Sequence, residues 1–344
     1  MRVLLMAGGG GTRLWPLSTE ERPKQFLKLL SDKSLLRETF ERVRPASEEI
    51  FVATGERYVS LVTEELPEVS PDRILPEPAR RNSGPALLAA ALRFAEEGDP
   101  VTAAVPSDQT AADAEAFRRA LSTAAAVADR CSIVVLAVPP SRPETDFGYL
   151  ELTEPGTGEG LEVRRFIEKP GAAEAEAYVR AGHFWNAGIF VFRPSRLLSE
   201  ARRVAEDLVS AVQVFRERLR AGDQAGMVQA YEALPDISID FAVMEKAADV
   251  RAVPLRAGWS DVGTWRSVRE MRKASDESGN LIVSDVPVVA LGVRDCAIIV
   301  APAGVLVLPF DQEGDLKGAV ERLRRGEKGR PNLEDTASRR RERR

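Results

Sequence analysis

Histidine is nearly absent from this chain: His183 is the only one in 344 residues. That excludes a metal centre built on several imidazoles, a His-Glu-x-x-His helix and almost any Ser-His-Asp triad. Cysteine is scarce too. Cys131 and Cys296 sit in separate apolar runs, so neither a disulfide framework nor a thiolate zinc site is expected, only two buried inert thiols. No apolar run approaches the ~20 residues of a membrane span, and the N-terminus opens directly into a strand pattern instead of a leader. Positive charge is not in excess. The net charge of −5 argues against a protein that grips nucleic acid by its phosphates. The basic run Arg339-Arg340-Arg341-Glu342-Arg343-Arg344 is the exception, and it reads as a solvated tail. A cytoplasmic protein is expected, with no membrane or nucleic-acid partner.

Apolar residues make up 44% of the chain and charged ones 29%, enough for a large α/β domain and a smaller one. Strand patterns fall at Val3–Ala7, Ile50–Thr54, Thr102–Val105, Ser132–Val138, Leu161–Ile167, Ala187–Phe192 and Val250–Leu255. Amphipathic helical segments lie between them, at Leu35–Arg44, Ala86–Glu97, Ala114–Ala128 and Ala173–Ala181. This alternation predicts a mainly parallel sheet covered on both faces, with ligands at the carboxyl ends of its strands. A helical pair is expected from Ser195 to Leu234, broken at Ala221-Gly222-Asp223. After Gly279-Asn280 come short β-like runs at Leu281–Val286, Val288–Leu291, Ala297–Val300 and Val305–Leu308, then a helix near Leu316–Arg324. The chain therefore divides into a large α/β domain over 1–275, a small β-rich domain over 276–328, and a polar, basic tail over 329–344. Edge strands in that small domain invite pairing and offer a surface for a homodimer.

The first strand runs into Gly8-Gly9-Gly10-Gly11-Thr12-Arg13, and Pro23-Lys24-Gln25-Phe26 follows. Bare backbone can wrap a phosphate with its N–H groups, while Arg13 and Lys24 add fixed positive charge. The loop lacks the Gly-Lys-Ser/Thr ending of a P-loop, and Arg13 occupies the third glycine position of a dinucleotide fingerprint. Asp108, in Pro106-Ser107-Asp108, and Asp261, in Trp259-Ser260-Asp261-Val262-Gly263, each follow a strand pattern or precede a helical one. Either is a helix cap, or both are carboxylates for one divalent ion that also carries phosphate oxygens. Glu77 and Asn82, in Glu77-Pro78-Ala79-Arg80-Arg81-Asn82-Ser83-Gly84-Pro85, form a good helix start and also suit the donor edge of guanine. Gly148, in Asp146-Phe147-Gly148-Tyr149, allows close approach of a ligand. Glu168-Lys169 is a surface ion pair or a sugar and phosphate reader. A β-bulge accounts for Gly188 but not for Asn186, in Trp185-Asn186-Ala187-Gly188.

In chain order these segments resemble the sugar-phosphate nucleotidyltransferases. The match begins at Gly8 to Ser18 and runs through Arg81-Asn82-Ser83-Gly84-Pro85-Ala86, Phe166-Ile167-Glu168-Lys169-Pro170, Ser238 to Lys246 and Trp259 to Gly263. Trp15 with Pro23-Lys24-Gln25-Phe26 is similar to the mannose-1-phosphate guanylyltransferase branch. Gln109 stands where that branch usually has histidine, and Ser83-Gly84 stands for its Thr-Ala. The resemblance implies a Rossmann-like, glycosyltransferase-A-like catalytic domain with a left-handed β-helix-like C-terminal appendage. It further implies transfer of GMP from GTP to mannose 1-phosphate, giving GDP-mannose and pyrophosphate with Mg2+ or another divalent cation.

By the same resemblance, Ala7, Gly8, Gly9, Gly11, Thr12, Arg13 and Lys24 bind the triphosphate, and Glu77, Asn82 and Ser83 lie near guanine and ribose. Gly148, Glu168, Lys169, Asn186 and Asp261 hold the sugar phosphate, and Asp108 and Asp261 take the metal. Arg13, Lys24, Asp108 and Asp261 are the expected catalytic set. Asp240 either orients the site or belongs to a packing face. A histidine-bearing isomerase domain, present in bifunctional members of the family, is not expected here. Three rivals stand beside this reading: a sister transferase for glucose or heptose phosphate or another nucleotide, a non-catalytic GDP-mannose sensor, and a Rossmann dehydrogenase. The dehydrogenase is disfavoured by Arg13.

Overall fold

The computed structural model describes residues 1–9, 12–130, 133–153 and 160–325. Gly11, Cys131 and the 329–344 tail lie outside them. The chain forms two compact units, one of 1–9 with 25–261 and one of 10–24 with the segment from Val262 onward. Among the described residues, no helix is long and apolar enough to cross a membrane.

Among the described residues the first unit carries eleven strands: β1 (Arg2–Met6), β2 (Glu49–Gly55), β3 (Ile74–Glu77), β4 (Thr102–Pro106), β5 (Thr110–Ala111), β6 (Ile133–Val138), β7 (Tyr149–Leu152), β8 (Leu161–Ile167), β9 (Phe184–Phe192), β10 (Val250–Pro254) and β11 (Trp259–Ser260). Nine of them make one sheet in the order β3-β2-β1-β4-β9-β6-β10-β8-β7. Val3, Leu4 and Leu5 of β1 are all fully buried, because both faces of the sheet are covered. Val3 and Leu5 pack in one apolar layer with Phe40, Phe117 and Leu121. Leu4 faces the other layer, with Leu87, Phe94 and Val212. Helices Leu35–Val43 and Ala114–Arg130 supply the first layer, and Ser83–Glu96 and Pro194–Arg220 the second. The expected break in the helical pair is present. Gly222 turns with φ +69, and the Asp223 side chain accepts from the Gly226 N–H at 2.9 Å to start helix Gln224–Glu232.

The sheet is mixed, which corrects the mainly parallel expectation. Pairings β1·β2, β1·β4, β2·β3 and β6·β10 are parallel. Strand β9 enters antiparallel between β4 and β6, and β8 and β7 also pair antiparallel with their neighbours. The link from β7 to β8 is too short for the crossover of about a dozen residues that parallel neighbours need, so they fold back on each other.

The second unit contains a three-stranded sheet of β12 (Leu281–Val283), β13 (Cys296–Ala301) and β14 (Gly304–Pro309). β12 runs parallel to β13, whereas β13 and β14 form a hairpin. Among the described residues of this sheet, β12·β13 is the parallel pair. The expected strand at Val288–Leu291 is absent: bracketed by Pro287 and Gly292, the run finds no ladder, and Val289 and Leu291 are 83% and 84% exposed. Helix Leu316–Arg324 forms as expected. Gly304, at φ +149, lets Trp15 approach so closely that an added Cβ would stand 2.8 Å from its ring. The Trp265 indole also donates to the Trp15 carbonyl at 3.2 Å. Trp15 of the signature loop is therefore a packing residue of this unit.

Candidate active site

Parallel β1 and β4 end side by side, Met6 opposite Pro106. Beyond them, the Ser107 N–H and hydroxyl both donate to the Met6 carbonyl, at 3.1 and 3.0 Å. Gly8 and Gly9 follow β1 as exposed backbone, and Gly9 at φ +112 needs its missing side chain. The loop borders a cavity of about 910 Å³ whose lining includes Gly55, Glu77, Arg80, Asn82 and Ser83. One oxygen of Glu77 lies 3.6 Å from where a Cβ on Gly8 would sit. The other accepts from the Tyr231 hydroxyl at 2.7 Å. Burial pushes the Glu77 carboxyl up to about 7 against that hydrogen bond, although the residue keeps some surface.

Asn82 at φ +63 caps helix Ser83–Glu96, its carbonyl oxygen accepting from the Ser83 N–H at 2.9 Å. The Ser83 hydroxyl accepts from the Ile239 N–H at 3.0 Å, and Gly84 packs so tightly on the Ile237 carbonyl that a Cβ would lie 2.7 Å from it. Arg81 donates to the Glu232 carbonyl. One helix, Gln224–Glu232, thus receives Arg81 and supplies Tyr231.

The two acids singled out from the sequence share a short ribbon. β5 and β11 pair antiparallel, Thr110 opposite Ser260 and Ala111 opposite Trp259. Asp261 follows the last rung directly, and Asp108 precedes it by two residues on the facing strand. Both acids are half-buried. Among the described residues, no group of three or more His, Cys, Asp or Glu stands ready to hold a metal. Two carboxylates fit magnesium, which prefers one or two of them beside phosphate oxygens and water, better than a metal that needs an all-protein cage.

The third cluster forms where β7, β8 and β9 meet. Gly148 is buried, and its carbonyl accepts from the Asn186 N–H at 2.8 Å. A Cβ on Gly148 would stand 2.5 Å from Glu168 Oε2 and 3.3 Å from the Asn186 side chain. That Glu168 oxygen is buried and has no hydrogen-bond partner; the other meets Lys169 Nζ at 3.2 Å. Burial, and next the charge of Asp240, push the Glu168 carboxyl above its ordinary value. The Asn186 amide donates to Asp240 Oδ1 at 2.8 Å, so Asp240 orients a neighbouring side chain of this cluster. Burial raises the Asp240 carboxyl as well.

Arg13 and Lys24 belong to the second unit. Arg13 is exposed in a helical turn at Thr12–Leu14, and Lys24 is buried at the head of Lys24–Phe26. His183 stacks on Tyr178 with ring centroids 5.0 Å apart, a packing role. Sequence reasoning missed Tyr231, which looks like any apolar helix residue. Asp240 had a usable signal, the cap-type Ser238 before a short helix.

Such an arrangement is that of the nucleotidyl transferases: the family's model matches residues 2–278, and the chain belongs to this family. It is 36% identical to the xanthan biosynthesis protein XanB of Xanthomonas campestris pv. campestris, over 93% of this chain and 73% of that protein. It is 35% identical to the mannose-1-phosphate guanylyltransferase of Escherichia coli, again over 93% of this chain and 73% of the relative. A crystal structure described as a mannose-1-phosphate geranyltransferase from Thermus thermophilus is 34% identical and has a TM-score of 0.84. It matches over 94% of this chain and 99% of that one.

Proposed function

We propose that this protein transfers GMP from GTP to α-D-mannose 1-phosphate, releasing pyrophosphate and GDP-mannose. The observation that supports the reading is that Asp108 and Asp261 flank the same rung of one ribbon, with Ser107 bonded to Met6 just before the glycine loop. The name of the Escherichia coli relative supports the choice of mannose and guanine.

In the reaction, a phosphate oxygen of mannose 1-phosphate attacks the α-phosphorus of GTP. The new P–O bond forms as the bond from the α-phosphorus to the β-phosphate bridge breaks, and pyrophosphate carries away the electron pair. A phosphate monoester with a second pKa of ~6 is already mostly dianionic at neutral pH. It needs no general base, which suits a chain with one stacked histidine. The obstacle is repulsion between anions, and the remedies are alignment and fixed positive charge. Arg13 and Lys24 would offset charge on the triphosphate, with Gly8 and Gly9 giving backbone N–H groups. Glu77 and Asn82 would read guanine. Glu168 Oε2 would accept from a sugar hydroxyl and Asn186 would donate, with Gly148 leaving room and Lys169 meeting the phosphate. Asp108 and Asp261 would hold a magnesium ion, whose charge draws the reacting phosphates together.

The proposed setting is cytoplasmic, with a homodimer formed through the small β-rich unit. The parallel β12·β13 pair is what supports a β-helical reading of that unit. The deciding experiment is a panel of nucleoside triphosphates and sugar 1-phosphates with Mg2+, scored by pyrophosphate release. GTP with mannose 1-phosphate should exceed every other pair. A higher rate with glucose 1-phosphate or dTTP selects the sister transferase, and GDP-mannose binding without turnover selects the sensor.

A further inference from the structure

We propose that Gln109 is a positioning residue, whose carboxamide fastens the acid-bearing ribbon to the strand that carries Asn186. The register between β6 and β9 passes from Val135↔Phe190 to Ala137↔Asn186, skipping Ala187, Gly188 and Ile189. Such a bulge takes backbone groups out of the ladder, and they need other partners. The Asn186 side-chain oxygen accepts from the Gly188 N–H at 2.8 Å. Gln109 takes the other loose group: its Nε2 donates to the Ala187 carbonyl at 2.8 Å.

The same amide works in both directions. Its Oε1 accepts from the Trp259 indole N–H at 2.9 Å, and Trp259 is two residues before Asp261. Its backbone carbonyl receives both terminal nitrogens of the buried Arg42 at 3.4 Å and the Thr39 hydroxyl at 3.5 Å. Gln109 is therefore gripped from the helix behind it, while one rigid plane joins Trp259 to Ala187. Because Asp108 precedes Gln109 and Asn186 precedes Ala187, this plane sets the spacing between the acid pair and the sugar-phosphate pocket. A side chain offering one donor and one acceptor on a single plane is needed for that. Leucine has neither, and glutamate would turn an oxygen on the Ala187 carbonyl.

This inference rests on the mannose 1-phosphate reading and is tested on the full chain with Gln109→Leu and Trp259→Phe. In Gln109→Leu, two polar groups lose their partner, so the Kd for mannose 1-phosphate should rise about 10- to 30-fold. Calorimetric titration without metal and the steady-state KM should agree on that rise. The KM for GTP should stay within about twofold, a split that a purely structural role would not produce. Trp259→Phe keeps the ring contact with Phe147 and should give a smaller rise, and the double variant should be no worse than Gln109→Leu alone. An unchanged Kd for mannose 1-phosphate in Gln109→Leu, equal increases in both KM values, or full additivity would each overturn the inference. Failure of the wild-type protein to bind mannose 1-phosphate would instead sink the functional reading on which it rests.

Discussion

Around Gly8 the protein would meet its proposed ligand with backbone, at the open ends of parallel strands. Around Gly148 it would do so with half-buried carboxylates, where antiparallel strands meet. The first design leaves a cavity of about 910 Å³ that bare peptide borders, suited to a large, highly charged nucleotide. The second draws Glu168, Asn186 and Asp240 together from distant segments, suited to a small polyhydroxylated ligand that must be read group by group. Electrostatics do not separate the two. Glu168 and Asp240 both sit above the ordinary carboxylate range because burial disfavours their charge. Glu77 on the nucleotide side is raised by burial in the same way, so what separates the two sides is bare glycine backbone against clustered side chains.

The largest effect should come from the element common to both sides. Asp108→Asn or Asp261→Asn should lower kcat by about 10³-fold, since each removes half of the acid pair that would hold the metal. GTP and mannose 1-phosphate should still bind when titrated separately without metal. If either acid variant kept wild-type kcat, the ribbon would not be where the two sides meet.

Gly148→Ala should come next, and on the sugar side alone. The new Cβ would intrude to 2.5 Å from Glu168 Oε2. Because that atom ends a flexible side chain, the fold should survive while the carboxylate is displaced. A shift of that size should cost about 10²-fold in kcat/KM for mannose 1-phosphate. The KM for GTP should not move; a parallel loss on both substrates would erase the distinction between the two sides.

These contrasts also explain what could be read in advance. The glycine loop, Pro106-Ser107-Asp108 and Glu168-Lys169 are local, so their chemistry shows in a few consecutive residues. β1 and β6 are legible as continuous apolar runs, because strands covered on both faces have no polar side to betray. The direction of β9 was not legible, since an apolar run looks the same either way round. β5 and β11 have two residues each, too few for any period, yet their pairing puts Asp108 and Asp261 at the flanks of one ribbon. Tyr231 acts through its hydroxyl and Gln109 through both ends of its carboxamide, partners that tertiary packing supplies and that no neighbouring residue in the chain signals. At Val288–Leu291 the error ran the other way, an apolar run mistaken for a strand.

On the nucleotide side, Tyr231→Phe should cost about 10-fold in the preference for GTP over ATP, since one hydrogen bond to Glu77 goes and the ring remains. The KM for mannose 1-phosphate should be unchanged. Glu77 also leaves a mark on stability. Its carboxyl is raised to about 7 in the folded protein, so between the ordinary carboxylate value and 7 the folded state keeps a proton that the unfolded state has lost. Its contribution is complete below the unfolded value and fades as pH rises through about 7. Melting curves from acid to neutral pH should therefore show the wild type losing stability relative to Glu77→Gln. A constant difference across that range would mean that Glu77 is not held protonated.

The smallest effect on catalysis should come from the outer face of β14, and it tests the homodimer alone. Along β14, Leu306 and Leu308 face inward at 8% and 7% exposure, while Val305 and Val307 point outward at 61% and 58%. β14 is an edge of its sheet, and an edge carrying outward valines is one that soluble proteins ordinarily cover or charge. A second copy of the chain would cover it. Val305→Lys with Val307→Lys should then halve the molar mass measured by light scattering while kcat changes by less than about twofold, because surface substitutions away from a site are nearly neutral. Wild-type protein that stays monomeric at high concentration would remove the dimer. A variant that turned monomeric and also lost activity would show that the contact between copies itself supports catalysis.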